Sequence, residues 1–418
     1  MPYRDVVSKQ VLIWACTAVG ARMPVAMAPL ALVFLVRERP GGYALGAVVA
    51  TAYVIGEILG APVLGMRLRP EHARAQLAVG LATGAAAFAA LGGLPDAHPG
   101  LLAGFAFVAG AAPAAATGGL RTLLTTLVPE RSAAQALSVE SVLTAAVWAA
   151  SPAAVAGLAL GVAPGVPLLL AAALMASSVA GLRLLPAAWG VGERADAPLA
   201  RVLAGAWPVY VTGAAGLTLL GLSELVLPAL LEQRGIGVGW SGPLLAGMAV
   251  GGGLGGFLHG LRAWPGRLRT HSVLLMTGTA VCTTLAALIP HTAGIALALV
   301  VGGMLQSAAM LTRNLALRAA LPARTHAAGY SVMYAAAGAG YAATGSLAGA
   351  LLRVVAPSTA VLAGVGVTLA LGALGWWGEV RRAGRSARGA GGAVALAGAR
   401  PGAEGPAIGG RGDTERCL

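Results

Sequence analysis

Residues 118–160 read GGLRTLLTTLVPERSAAQALSVESVLTAAVWAASPAAVAGLAL, two long apolar segments meeting at a short polar elbow, Pro129-Glu130-Arg131. Arg121 lies eight residues before the proline, and Glu140 lies nine residues after Arg131. At about 1.5 Å of rise per residue, both sit roughly 12–14 Å from the elbow on adjacent helices. A lone charge at that depth in a bilayer costs several kcal/mol, and a paired one costs less. The depth match predicts that Arg121 and Glu140 face each other. Arg22, which also needs an anion, is the competitor for Glu140.

The hairpin recurs at 311–352 as LTRNLALRAALPARTHAAGYSVMYAAAGAGYAATGSLAGALL. At an offset of 193, Pro129 aligns with Pro322, Arg131 with Arg324 and Ser138 with Ser331. The charges do not repeat, because Arg121 meets Asn314 and Glu140 meets Met333. A second pair of stretches agrees. GEILGAPVLGMR (56–67) and GGGLGGFLHGLR (251–262) share a Gly, Leu-Gly, Gly, Arg skeleton at an offset of 195.

Composition places this duplicated design in a membrane. The chain is 57% hydrophobic and only 10% charged, against about 25% charged in soluble domains. Its mean hydropathy is +0.80. Its 62 glycines suit helices packed closely in lipid. Apolar runs of about 19–30 residues give twelve spans, near 10–36, 43–65, 76–94, 100–127, 132–162, 165–187, 203–231, 241–261, 272–290, 293–317, 326–352 and 357–378. The expected architecture is all-α and polytopic, with twelve transmembrane helices in two parallel six-helix pseudo-repeats. Residues 1–187 form the first half, 188–202 a cytoplasmic linker, 203–380 the second half, and 381–418 a disordered basic tail.

The net charge of +13 comes from arginine with a single lysine, Lys9. Arginines crowd alternate links, among them Arg67, Arg69, Arg74, Arg131, Arg183, Arg267, Arg269 and Arg324, and leave the others nearly bare. That bias places both termini in the cytoplasm of a multi-pass protein of the inner (cell) membrane. Separate short basic links without interleaved aromatics argue against nucleic-acid binding. Cys16, Cys282 and Cys417 form neither a disulfide framework nor a metal spacing. The six histidines are dispersed, and no H-E-x-x-H or Walker loop is present. The chain is read as a non-enzyme with no metal and no cofactor. GGGLGG at 251–256 satisfies G-x-G-x-x-G, but it lies inside an apolar span with no strand before it. Arg411-Gly412-Asp413 in a cytoplasmic tail is a chance match to an adhesion motif.

Parallel halves of six spans joined by a cytoplasmic linker resemble the major facilitator superfamily of secondary transporters. The resemblance covers the chain to about Arg382. The link 65–74, GMRLRPEHAR, keeps the leading glycine and basic residues of the family's latch between spans two and three. It lacks the family's aspartate, for which Glu71 can substitute. The span-four arginine of drug–proton antiporters is replaced by Ala106 ahead of Gly110, and the span-five Gly-Pro pair by Ser151-Pro152. Proline there predicts a kink at Pro152.

Spans one, four, seven and ten line the central cavity in this family. The resemblance therefore makes Arg22, Arg121, Glu224 and Arg313, with Glu140 opposite Arg121, the candidates for the substrate and proton pathway. Trp148, Trp207, Tyr210, Tyr334 and Tyr341 are cavity-wall or packing candidates. Glu57 reads as a packing or latch residue. Gly56, Gly60, Gly251 and Gly255 either pack helices or let the halves rock. The implied activity is proton-coupled efflux of a drug-like compound or metabolite by alternating access. Its partners are the lipid bilayer, a small-molecule substrate and protons, and the chain acts as a monomer. Metabolite uptake is the alternative within the class, and a non-transporting membrane sensor or scaffold the alternative outside it.

Overall fold

In this computed structural model, the structure describes residues 8–39, 42–187, 198–261, 264 and 266–398. The first half holds α1 (Lys9–Val36), α2 (Gly42–Arg67), α3 (Ala73–Gly93), α4 (Pro99–Ala111), α5 (Ala115–Thr126), α6 (Ala133–Gly161) and α7 (Val166–Arg183). The second holds α8 (Leu199–Gly205), α9 (Trp207–Leu225), α10 (Leu227–Gln233), α11 (Ser241–Leu261), α12 (Leu268–Leu288), α13 (Thr292–Ala320), α14 (His326–Leu351) and α15 (Pro357–Gly398). Ten segments are long and apolar enough to cross a bilayer, and the bent pair α8–α9 makes an eleventh. With 26 residues, or about 39 Å, α14 is the twelfth. Its Gly, Tyr, Ser, Thr and His residues lower its hydropathy, and it packs on α2 and α5 of the first half as well as on α9. The protein is a polytopic all-α membrane protein.

Several spans are less regular than expected. Span four is two helices, broken at Pro113, which has no amide hydrogen to continue the ladder. The expected span 203–231 is three pieces. It bends by 56° between α8 and α9, where Pro208 opens α9, and it breaks again where Pro228 opens α10. By contrast, α6 runs through Pro152 without interruption. The basic tail, expected to be disordered from residue 381, instead continues α15 to Gly398. Extending a helix that already exists avoids the cost of nucleation, and Ala and Arg are good helix formers. Most of the linker (188–197) and residues 399–418, with the Arg-Gly-Asp string, lie outside the described residues.

The duplication is visible in which helices touch. Within the first half α1 packs on α6 and α7, α2 on α4, and α3 on α4 and α7. Within the second, α9 packs on α14 and α15, α11 on α13, and α12 on α13 and α15. Each of these contacts has its counterpart in the other half. The elbows match in backbone geometry. Pro129 (φ −57°, ψ 148°) and Pro322 (φ −60°, ψ 147°) each lead into a three-residue 3-10 turn.

The glycine skeleton serves these internal contacts. A methyl group on Gly56 would meet the Phe107 carbonyl, and one on Gly60 would meet Ala111. In the second half Gly251 meets Val300 and Gly255 meets Met304. The four glycines thus press α2 onto α4 and α11 onto α13, inside each half. They do not lie between the halves.

Candidate functional site

Glu140 projects from α6 into a fully enclosed position, with the residue 1% exposed. Arg121 on α5 donates from Nε to both carboxylate oxygens at 2.8 Å. Arg22 on α1 donates from Nη2 to Oε1 and from Nη1 to the Thr144 hydroxyl at 2.9 Å. Thr144 in turn donates to the Glu140 carbonyl at 2.8 Å, which fixes its acceptor side toward the arginine. The predicted pair is therefore a triad. Arg22, expected to compete for Glu140, shares it, since one carboxylate has lone pairs enough for two guanidinium groups. Trp14, fully buried, anchors α1 beside the triad. Its indole donates to the Leu120 carbonyl at 2.7 Å, and its ring lies 5.9 Å from the Arg22 guanidinium.

The triad reaches into the other half. Arg121 Nη1 donates to Asn314 Oδ1 on α13 at 3.1 Å, across 193 positions of sequence. That separation is the repeat offset, so these two residues are pseudo-twofold mates. Mates can touch only at the axis that relates the halves, so the triad sits at that axis. Tyr330 of α14 completes the wall, with its ring 5.4 Å from the Arg121 guanidinium.

The other intramembrane charges are dispersed. Glu57 on α2 accepts from the Tyr334 hydroxyl on α14 at 2.6 Å, a second polar bridge between halves. Glu224 accepts from Tyr341 at 2.8 Å within the second half. Arg313 donates from Nη1 to Thr212 and to Glu379 near the end of the α15 span, both at 2.7 Å. Glu224 and Arg313 thus stand apart from the triad. Trp148 and Trp207 are exposed, at 53% and 38%. Asn314 reads in sequence as a lost charge, and Glu379 lies just past the last apolar span at 357–378, so neither stood out as functional. An acid beside Arg381 and Arg382 at the end of an apolar span was the available signal for Glu379. Among the described residues no three of His, Cys, Asp and Glu converge to hold a metal ion.

The halves meet through α2 against α14 and α6 against α11. Ser138 donates to the Gly256 carbonyl at 2.6 Å. Gly65 and Gly118 each lie against Ser331, so that any side chain there would displace it. Ala61, Ala114 and Ala335 form a small buried cluster between the halves. In the links, Arg324 pairs with Glu71, and Arg318 lies 3.7 Å from Glu130. Glu71 thus pairs with a link of the other half. The Ser138 contact and the two link pairs lie on the elbow side of the triad, so the halves are joined at the elbow end.

Comparison with solved structures matches this architecture. The E. coli fucose:proton symporter FucP, in an outward conformation, gives a TM-score of 0.71 at 14% identity, covering 90% of this chain and 99% of that one. The human organic anion transporter TETRAN gives 0.67 at 13%, covering 88% and 98%. A bacterial homologue of the iron transporter ferroportin, in an outward-facing state, gives 0.69 at 17%, covering 88% and 97%. No protein-family model and no curated protein matches the sequence. The chain has the fold of the major facilitator superfamily.

Proposed function

We propose that the protein is a secondary active transporter that moves a small solute by alternating access and couples it to protons. The observation that carries this reading is the charged triad at the pseudo-twofold axis, tied across the halves by reversible polar contacts such as Arg121 to Asn314 and Tyr334 to Glu57. Such contacts can break when the halves rock, whereas the glycine contacts inside each half stay packed. Arginine bias puts the elbow end in the cytoplasm, so the halves are joined at their cytoplasmic end.

Glu57 and Glu224 are the proton carriers in this reading. Each has a tyrosine hydroxyl as its hydrogen-bond partner, a bond that both protonation states of the carboxyl can keep. Glu140 faces two guanidinium groups and stays charged as their counter-ion.

Export, the direction expected from sequence, is simplest where solute and proton occupy one site in turn. The geometry favours cotransport, because the triad and Glu57 are separate sites on the same interface. Proton symport is also what the fucose:proton symporter's name records for that protein.

The test uses the full chain in proteoliposomes with an imposed pH gradient and a solute screen read by an internal pH dye. Cotransport predicts that an active solute drives protons in its own direction. Protons moving against the solute would establish export by exchange. A sensor or scaffold would show no solute-dependent flux, and cutting the chain after Arg382 would abolish its role. The same cut leaves a transporter's flux intact.

A further inference from the structure

The triad does not balance its own charge. Two guanidinium groups face one carboxylate, which leaves one positive charge uncompensated at the centre of the bundle. The other intramembrane arginine, Arg313, has its own partner in Glu379. The uncompensated charge comes with open donors. Arg22 is 8% exposed, and its Nε is buried without an acceptor. Arg121 spends Nε on Glu140 and Nη1 on Asn314, so Nη2 enters none of these bonds. Its side chain keeps 16% of its surface exposed. A residue fixed only for structure would be neutralised, since a buried net charge is costly.

A guanidinium fork binds a carboxylate or similar oxyanion through paired hydrogen bonds. A neutral solute would leave the charge unmet, and a cation would be repelled. One excess charge matches a monoanion rather than a dianion.

Glu57 is bound to the same helix, α14, that packs over Arg121. Its partner Tyr334 lies one turn of α14 beyond Tyr330, the ring under Arg121, and is within electrostatic reach of both Arg22 and Arg121. The polar groups at Glu57 are Tyr53 on its own helix and Tyr334 of α14. The α4 helix carries no titratable side chain. Glu57 and Arg121 thus share one neighbour, α14, through Tyr334 and Tyr330 one turn apart. An arriving anion meets the excess charge of the triad, and Glu57 takes a proton at its bond to Tyr334.

We infer that the solute is a small monoanion with a carboxylate-type head group, docked beside Glu140 on the open donors of Arg22 and Arg121, and that Glu57 takes up the accompanying proton. This rests on the transport reading above and names its substrate class.

The test is binding to the purified full chain in neutral detergent, which does not depend on flux. The probes are acetate, lactate and benzoate against acetamide, lactamide and benzamide, with inorganic phosphate as the dianion-bearing control. Thermal unfolding should show at least one carboxylate binding tenfold or more tightly than its amide and than phosphate. Glu140→Gln, which leaves two uncompensated charges, should enlarge the carboxylate effect, and Arg121→Gln should abolish it. If either variant fails to fold, Arg121→Lys keeps the charge without the fork and should weaken carboxylate binding about tenfold. In weak buffer, carboxylate binding should take up protons, and Glu57→Gln should remove the uptake while keeping the binding. Equal effects of carboxylates and amides in the wild type would overturn the inference, as would phosphate binding tightest. So would an unchanged carboxylate effect in Arg121→Lys. Carboxylate binding without flux would reject the transport reading alone. Flux of a neutral solute without a carboxylate effect would reject the anion site alone.

Discussion

Removing Glu140 should harm the protein more than removing either arginine, and the order follows from counting charges. Wild type holds two guanidinium groups and one carboxylate in direct contact. Arg121→Gln leaves a neutral Arg22–Glu140 pair, and Arg22→Gln leaves a neutral Arg121–Glu140 pair. Glu140→Gln leaves two unpaired guanidinium groups. At hydrogen-bonding distance and an effective dielectric of about 20, each contact is worth about 4 kcal/mol before desolvation. Stripping the partner from a buried pair costs about 3–5 kcal/mol. Glu140→Gln should therefore lose at least that much. Each arginine variant should lose about 1–3 kcal/mol, because the surviving charge keeps a partner. The double variant Arg121→Gln/Glu140→Gln should fall short of the summed losses by about 1–3 kcal/mol. Denaturant titration of the protein in bicelles measures all four. Glu140→Gln no worse than Arg121→Gln, or simple additivity in the double variant, would refute the reasoning.

Gly60→Val and Gly255→Val should each lose about 1–3 kcal/mol through overpacking, since their side chains would strike the Ala111 and Met304 backbones. Gly104→Val and Gly157→Val, with open space at those positions, should cost far less in the same thermal unfolding series. Glu71→Arg and Arg324→Glu, at a partly exposed pair, should change stability by less than about 1 kcal/mol yet open the elbow end. A cysteine at Ala327 should then be alkylated faster, and the double charge swap should restore protection. Glu57→Gln keeps an oxygen for Tyr334 to donate to, so the protein should fold and exchange solute across vesicles while losing pH-driven accumulation. Retained accumulation in that variant would remove Glu57 from the proton path.

The parts of this fold that were legible in the sequence are those fixed by local backbone chemistry. Pro129 and Pro322 announce the two elbows because a proline followed by a polar turn has few conformations open to it, and the two copies agree within a few degrees. The glycine skeletons are legible because only glycine allows α2 and α11 to touch a neighbouring backbone. The breaks at Pro113, Pro208 and Pro228 were present as letters, but a hydropathy window averages over them. Depth counting brought Arg121 to Glu140. It had no means of adding Arg22, whose approach depends on how α1 packs against α6. Glu379 and Asn314 were missed because their partners lie on helices whose neighbours no single sequence displays.

The failure of the charges to repeat has a physical cause in the geometry of the axis. A faithful duplication would place arginine at both 121 and 314. These side chains touch, with Nη1 and Oδ1 only 3.1 Å apart, so two guanidinium groups would confront each other in a medium that screens them poorly. A second carboxylate at 333 would need its own pair of cations in a half that has one intramembrane arginine, already held by Glu379. Everywhere away from the axis the copies can remain alike, and elbows and glycines do. At the axis a residue becomes its own mate's neighbour, so like charges are excluded. Arginine against asparagine is an allowed combination, since the amide oxygen accepts what the guanidinium donates. The asymmetry also confines the charged triad to one half. The other half offers a neutral face that can part from it without separating an ion pair at the centre of the membrane.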